Sequence, residues 1–154
     1  MKDNLEKARK EIARCDHLYN VSLKYTRTAD TLKLIIKRLI NSIDFAIGSL
    51  LEKLKSQEKI KQIPTLPRLR MEAMSEYFKD DEKIQQFVGF FRLLRKIDKA
   101  KSKCTQEFRR HVTMTCPVDD NEIEVTIDII GDYYKKTKEF VEYVENLLFE
   151  KKEE

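Results

Sequence analysis

The sequence has few of the residues that break or cross-link a chain: three glycines, three prolines, three cysteines and two histidines among 154 residues. So little Gly and Pro argues against a loop-rich or all-β fold, which needs frequent turns. Cys15, Cys104 and Cys116 are odd in number and stand at unrelated spacings. They read as reduced thiols of a cytoplasmic protein, not as a disulfide framework. No stretch nears the ~20 apolar residues of a membrane span, and residues 1–15 lack the apolar segment of a signal peptide. There is no Gly-rich phosphate loop, no Gly-x-Ser-x-Gly elbow, no Cys-x-x-Cys and no Glu-x-x-His. No cofactor and no metal are expected. A site assembled from Cys104, His111 and Cys116 with Cys15 or His17 would match no structural zinc spacing.

What is there is helical. Apolar residues are 41% of the chain and charged ones 38%, the balance of amphipathic helices with solvated outer faces. The most apolar stretch is 30–54, where Leu32, Ile36, Ile43, Ile47 and Leu54 and their neighbours recur at steps of three and four. That spacing predicts a long helix with a broad buried face, widened by Leu34 and Phe45 and capped by Asp30. Other helices must cover it. Residues 3–25 supply one, striped by Leu5, Ala8, Ile12, Cys15, Tyr19 and Leu23. The short 26–29 link makes the two an antiparallel hairpin. A connector at 57–68 holds Pro64 and Pro67. A short helix at about 69–78 follows, then a long helix capped by Asp80 or Asp81, with Ile84, Val88, Phe91 and Leu94 inward.

From Val112 the period changes to two, in 112–116 and again in 123–127, around a run of turn formers at 117–121. This predicts a β-hairpin at about 109–127 with a five-residue loop, before a last helix opened by Asp128. The expected fold is mainly α: one domain over 1–154, an antiparallel four-helix bundle with a short β-hairpin before the last helix.

Charge is concentrated in one place. The whole chain nets +4, yet residues 92–111 alone carry eight Lys and Arg against Asp98 and Glu107. Arg92, Arg95, Lys99 and Lys103 follow at helical steps, with Lys96 beside them, and would line up as one basic stripe. Such a stripe is either an ordinary solvated face or a track for phosphates, which Arg109 and Arg110 would extend. His111 beside these two arginines is the one candidate for acid–base chemistry on a ribose hydroxyl. In a strand, Arg109 and His111 would share a face, and the plainer reading pairs them with Glu122 or Glu124 across the hairpin.

The layout resembles that of the HEPN-like helical bundles. The elements that carry the likeness are a hairpin whose long second helix has Asp30 near its start and Ser42-Ile43-Asp44-Phe45-Ala46-Ile47 at its middle, then a Pro-broken connector, a third helix, and a last helix containing Phe140-Val141-Glu142. The resemblance implies an RNA- or ribonucleoprotein-associated module that forms a homodimer or pairs with a protein partner. The family's nuclease signature is an Arg followed, after four to six residues, by His. The positions that would hold the Arg are Cys104, Thr105 and Gln106 for His111, and Lys10, Glu11 and Ile12 for His17, so the implied membership is of a non-catalytic branch. Three functions follow in order. The first is a non-catalytic binding module. The second is a ribonuclease using His111 with Arg109 or Arg110. The third is a structural bundle that assembles with itself.

Overall fold

The structure, a computed structural model, describes residues 2–149. It is mainly helical, with five helices and a small antiparallel sheet. Helix α1, Lys2–His17, runs on through a π-helical turn, Leu18–Ser22, and a final α turn, Leu23–Tyr25. Helix α2 is Ala29–Ser56, α3 Pro67–Tyr77, α4 Glu82–Lys99 and α5 Ile127–Phe149. Strands β1, Lys103–Thr105, β2, Thr113–Val118, and β3, Asn121–Val125, lie between α4 and α5.

Helix α2 is the axis of the molecule. Its stripe from Leu32 to Leu54 is buried almost without interruption, and α1, α3, α4 and α5 all touch it. Leu34 departs from expectation and stays exposed. Thr28, not Asp30, is the N-cap, its hydroxyl accepting from Thr31 N at 3.3 Å, while Asp30 sits in the first turn. Helices α1 and α2 come close enough for the buried Ser42 hydroxyl to donate to Ala8 O at 2.9 Å. Between them Glu11 is buried and held by Arg14, at 2.8 Å, and Arg38, at 3.3 Å, which compensate its charge. The π turn carries Tyr19 onto Gly131 of α5, where a Cβ would meet the phenol oxygen at 2.5 Å. Helix α4 reaches α5 through rings: Phe91 lies edge-on to Phe140 at 4.6 Å between centroids, and Phe87 is tilted on it at 5.0 Å.

Among the described residues the short helix expected at about 69–78 is present as α3, with Pro67 in its first turn, and with the four long helices it makes five where a four-helix bundle was expected. Arg70 pins the connector before it, donating to Asp44 O at 2.7 Å and Pro64 O at 3.5 Å. The hairpin is narrower than 109–127 and gains a strand. Residues β1 103–105 pair antiparallel with β2, so that Lys103 stands opposite Thr115. Helix α4 has already ended at Lys99, with Ala100 extended (ψ 145). Strand β2 pairs with β3 from Met114↔Val125 to Val118↔Asn121, leaving a two-residue turn at Asp119-Asp120 instead of a five-residue loop. Asp119 takes the left-handed conformation the turn requires, φ 54, which Asp tolerates. Pro117 fits inside β2 because β1 covers only Thr113 to Thr115, so no β1 partner needs its missing N–H. Met114, Cys116, Val118 and Val125 turn inward onto the helices.

Candidate functional site

The basic stripe does not survive as a line. Arg95 is half-buried and gives one guanidinium nitrogen to both Asp44 oxygens, at 2.6 and 2.7 Å. Lys96 bonds Asp119 of the β2–β3 turn at 2.9 Å. Lys103 has left the helix for β1. Arg92 and Lys99 remain exposed on α4. Two of the five stripe residues are thus engaged by carboxylates that sequence spacing could not place, because Asp44 and Asp119 arrive from other elements.

Arg109 and Arg110 lie in the 106–112 loop. Arg109, Arg110 and His111 are not in a strand, as the narrower hairpin already implies; they are exposed in turns ahead of β2. Nor do Glu122 and Glu124 face them: those residues stand opposite Pro117 and Thr115. The loop folds instead onto the α1–α2 turn. Phe108 N donates to Arg27 O at 2.7 Å, and Ala29 N donates to Glu107 Oε1 at 3.2 Å. Thr113 Oγ1 donates to His111 O at 2.9 Å, which holds the far end of the loop. Gln106 and Phe108 both take left-handed backbone angles, φ 56 and 63. That conformation is a strained one for a bulky ring. It leaves the Phe108 side chain 73% exposed, and Tyr25, two residues before Arg27, is 83% exposed.

Beside this tip is a cleft of about 450 Å³ lined by Arg27, Arg110, His111, Thr113, Thr126, Ile127 and Asp128. It opens at the start of α5. Thr126 caps that helix by accepting from Ile129 N at 3.2 Å. Arg27 Nε is buried and makes no hydrogen bond, and neither Arg27 nor Arg110 has a carboxylate partner among the described residues.

Thiol and metal chemistry find no support here. Burial pushes the Cys104 thiol up, and the neighbouring Glu107 charge pushes it further; burial also raises Cys116. Neither is the lowered thiol of a reactive cysteine. No three of His, Cys, Asp and Glu come together to hold a metal ion among the described residues. Cys15 is buried against Ile35 O, whereas His17 is exposed.

Sequence reasoning singled out Arg109, Arg110 and His111 as candidates and did not single out Arg27, Tyr25, Phe108 or the α5 start. Phe108 carried a legible signal, an aromatic set inside a basic run without a place in any apolar stripe. Arg27 carried none, because its proximity to Arg110 depends on how two loops distant in the chain meet. No helix among the described residues is long and apolar enough to cross a membrane. Compared with family models, curated proteins and solved structures, the chain has no match that would place it in a family.

Proposed function

We propose that the protein is a non-catalytic module that binds single-stranded RNA at the tip formed by Tyr25, Arg27, Phe108, Arg109 and Arg110. The observation that carries this reading is that two exposed rings, Tyr25 and Phe108, belong to the two segments joined by the Phe108 N–Arg27 O bond, the same segments that carry Arg27, Arg109 and Arg110. Bases stack on exposed aromatic faces whatever their identity, and guanidinium groups take the phosphates between them. Binding of this kind is sequence-tolerant and weakens with salt, as counterions released from the backbone supply much of its free energy. The HEPN-like layout points to the same class of ligand. A cytoplasmic setting suits the three free cysteines.

The ribonuclease reading comes second, because the cleft does gather His111, Arg110 and Arg27. It lacks the Arg-to-His spacing of the family's nucleases. A homodimer or protein partner has the groove between α4 and α5, floored by Phe87 and Phe90, but Lys83, Lys136, Glu139 and Glu142 rim it with mixed charge.

Fluorescence anisotropy with labelled single-stranded oligouridylate at low salt tests the proposal. Phe108→Ala and Tyr25→Ala should each weaken binding by about tenfold, since stacking contributes ~1–3 kcal/mol per base. Neither should move the melting temperature, because both rings are exposed. Binding that is absent, or unchanged in both variants, removes the tip from consideration. RNA cleavage that disappears in His111→Ala would promote the ribonuclease reading.

A further inference from the structure

We infer that the cleft at the start of α5 is a seat for a phosphate monoester, the phosphorylated end of an RNA strand. This rests on the RNA reading for its choice of ligand; the cleft itself stands on separate observations. Backbone phosphodiesters meet open surface at the tip, whereas this cleft is recessed and lined by Arg27 and Arg110 together with the first residues of α5. A terminal phosphate is small enough to enter, bears close to two negative charges, and presents three oxygens free of chain.

The donors suit that group. Arg27 and Arg110 offer guanidinium N–H groups without a carboxylate partner among the described residues, and the buried Nε of Arg27 shows that this guanidinium is partly withdrawn from solvent. A guanidinium so placed is already desolvated in part, which strengthens its attraction for an anion. The Thr126 hydroxyl accepts from Ile129 N and keeps its own hydrogen to donate. Thr113 spends its hydrogen on His111 O, fixing the backbone that carries the imidazole. Ile127 and Asp128 begin a 23-residue helix, whose positive end therefore faces the cleft. The Asp128 carboxylate at the exposed rim opposes an anion. It makes the assignment testable in both directions of charge.

The experiment uses the full chain and one oligouridylate in three forms, 5′-phosphorylated, 3′-phosphorylated and hydroxyl-ended, with inorganic phosphate and uridine monophosphate as competitors. A phosphate at one end should tighten binding by about tenfold over the hydroxyl-ended strand. Arg110→Gln should abolish that difference, and Asp128→Asn should enlarge it severalfold. Both positions are exposed, and thermal melts establish that the variants fold. Tight binding of the hydroxyl-ended strand with no preference for either phosphorylated form overturns the cleft assignment and leaves the RNA reading standing. Thermal stabilisation by inorganic phosphate or the mononucleotide, without binding of any oligonucleotide, supports the cleft and overturns the RNA reading. An end preference that persists in Arg110→Gln and ignores Asp128→Asn places the phosphate elsewhere and overturns the assignment.

Discussion

Cys15 shows how far a single buried side chain can tie stability to pH. Its thiol lies against Ile35 O, fully enclosed, and burial pushes it up from about 9 to about 12, with the nearby Glu11 charge adding to the rise and Arg38 opposing it. The folded chain therefore holds this proton more tightly than the unfolded one. As pH climbs through the unfolded value, the unfolded chain ionises first and is favoured. The contribution is intact below about pH 9 and declines toward about pH 12. Urea midpoints followed from neutral to strongly alkaline pH should fall less steeply in Cys15→Ala than in the parent. Parallel declines would mean that Cys15 is not what the alkaline limb reports. At the same scale, Arg27 and Phe108 mark the limits of reading residues one by one. Arg27 is an ordinary loop residue in sequence, and Phe108 stands out there only as an aromatic inside a basic run. What distinguishes them is an unpartnered buried nitrogen in one and a left-handed backbone in the other.

At the scale of elements, α2 was the most legible, since a face so wide and apolar can be satisfied only from several sides. Ile43 sits at its middle and is 3% exposed, so Ile43→Ala should cost about 2–5 kcal/mol in denaturant unfolding. A change within error would mean the cavity collapses freely or the helix is not central. Helix α4 offers the opposite sign. Gly89 is exposed in its interior, and a Cβ there would meet nothing within 4 Å. Gly89→Ala should therefore stabilise by roughly 0.5–1 kcal/mol, through the lost freedom of the unfolded chain. Loss of stability on that change would show that α4 is not a regular helix at Gly89. Two element-level readings fell short for local reasons. The stripe to Lys103 assumed α4 ran past Lys99, and neither Gly nor Pro marks its end. The strand β1 is three residues, too short for any periodicity to announce it.

Across the whole molecule the distribution of charge is what tertiary structure rearranged most. Arg95 and Arg92 look alike in sequence, one helical turn apart. Arg95 reaches Asp44 of α2 and is about one-fifth exposed at its side chain, whereas Arg92 is in solvent. Arg95→Glu would set two carboxylates against each other across α2 and α4. It should destabilise by about 1–2 kcal/mol, a charge-assisted hydrogen bond discounted for partial exposure. Arg92→Glu should leave the melting temperature nearly unchanged. If both reversals melt alike, the Arg95–Asp44 pair contributes nothing in solution. On the proposed RNA reading the order changes: reversals at Arg109 or Arg110 should flatten the salt dependence more than reversal at Arg92, which lies on the helix face outside the proposed tip.

The sequence by itself determined that this chain is mainly helical, that α2 is its centre, and that a hairpin precedes α5. Helical and strand periodicity are local properties, readable wherever an apolar stripe is long enough to repeat. It also singled out Arg109, Arg110 and His111, because a run of one charge is visible without a fold. Only the tertiary structure decided which cations keep their charge for a partner. Asp44 and Asp119 take Arg95 and Lys96 out of the stripe from 51 and 23 residues away. Arg27 joins Arg110 only because the 106–112 loop lies down on the α1–α2 turn. Those encounters depend on how far each helix runs and where each loop turns, and no spacing along the chain encodes them.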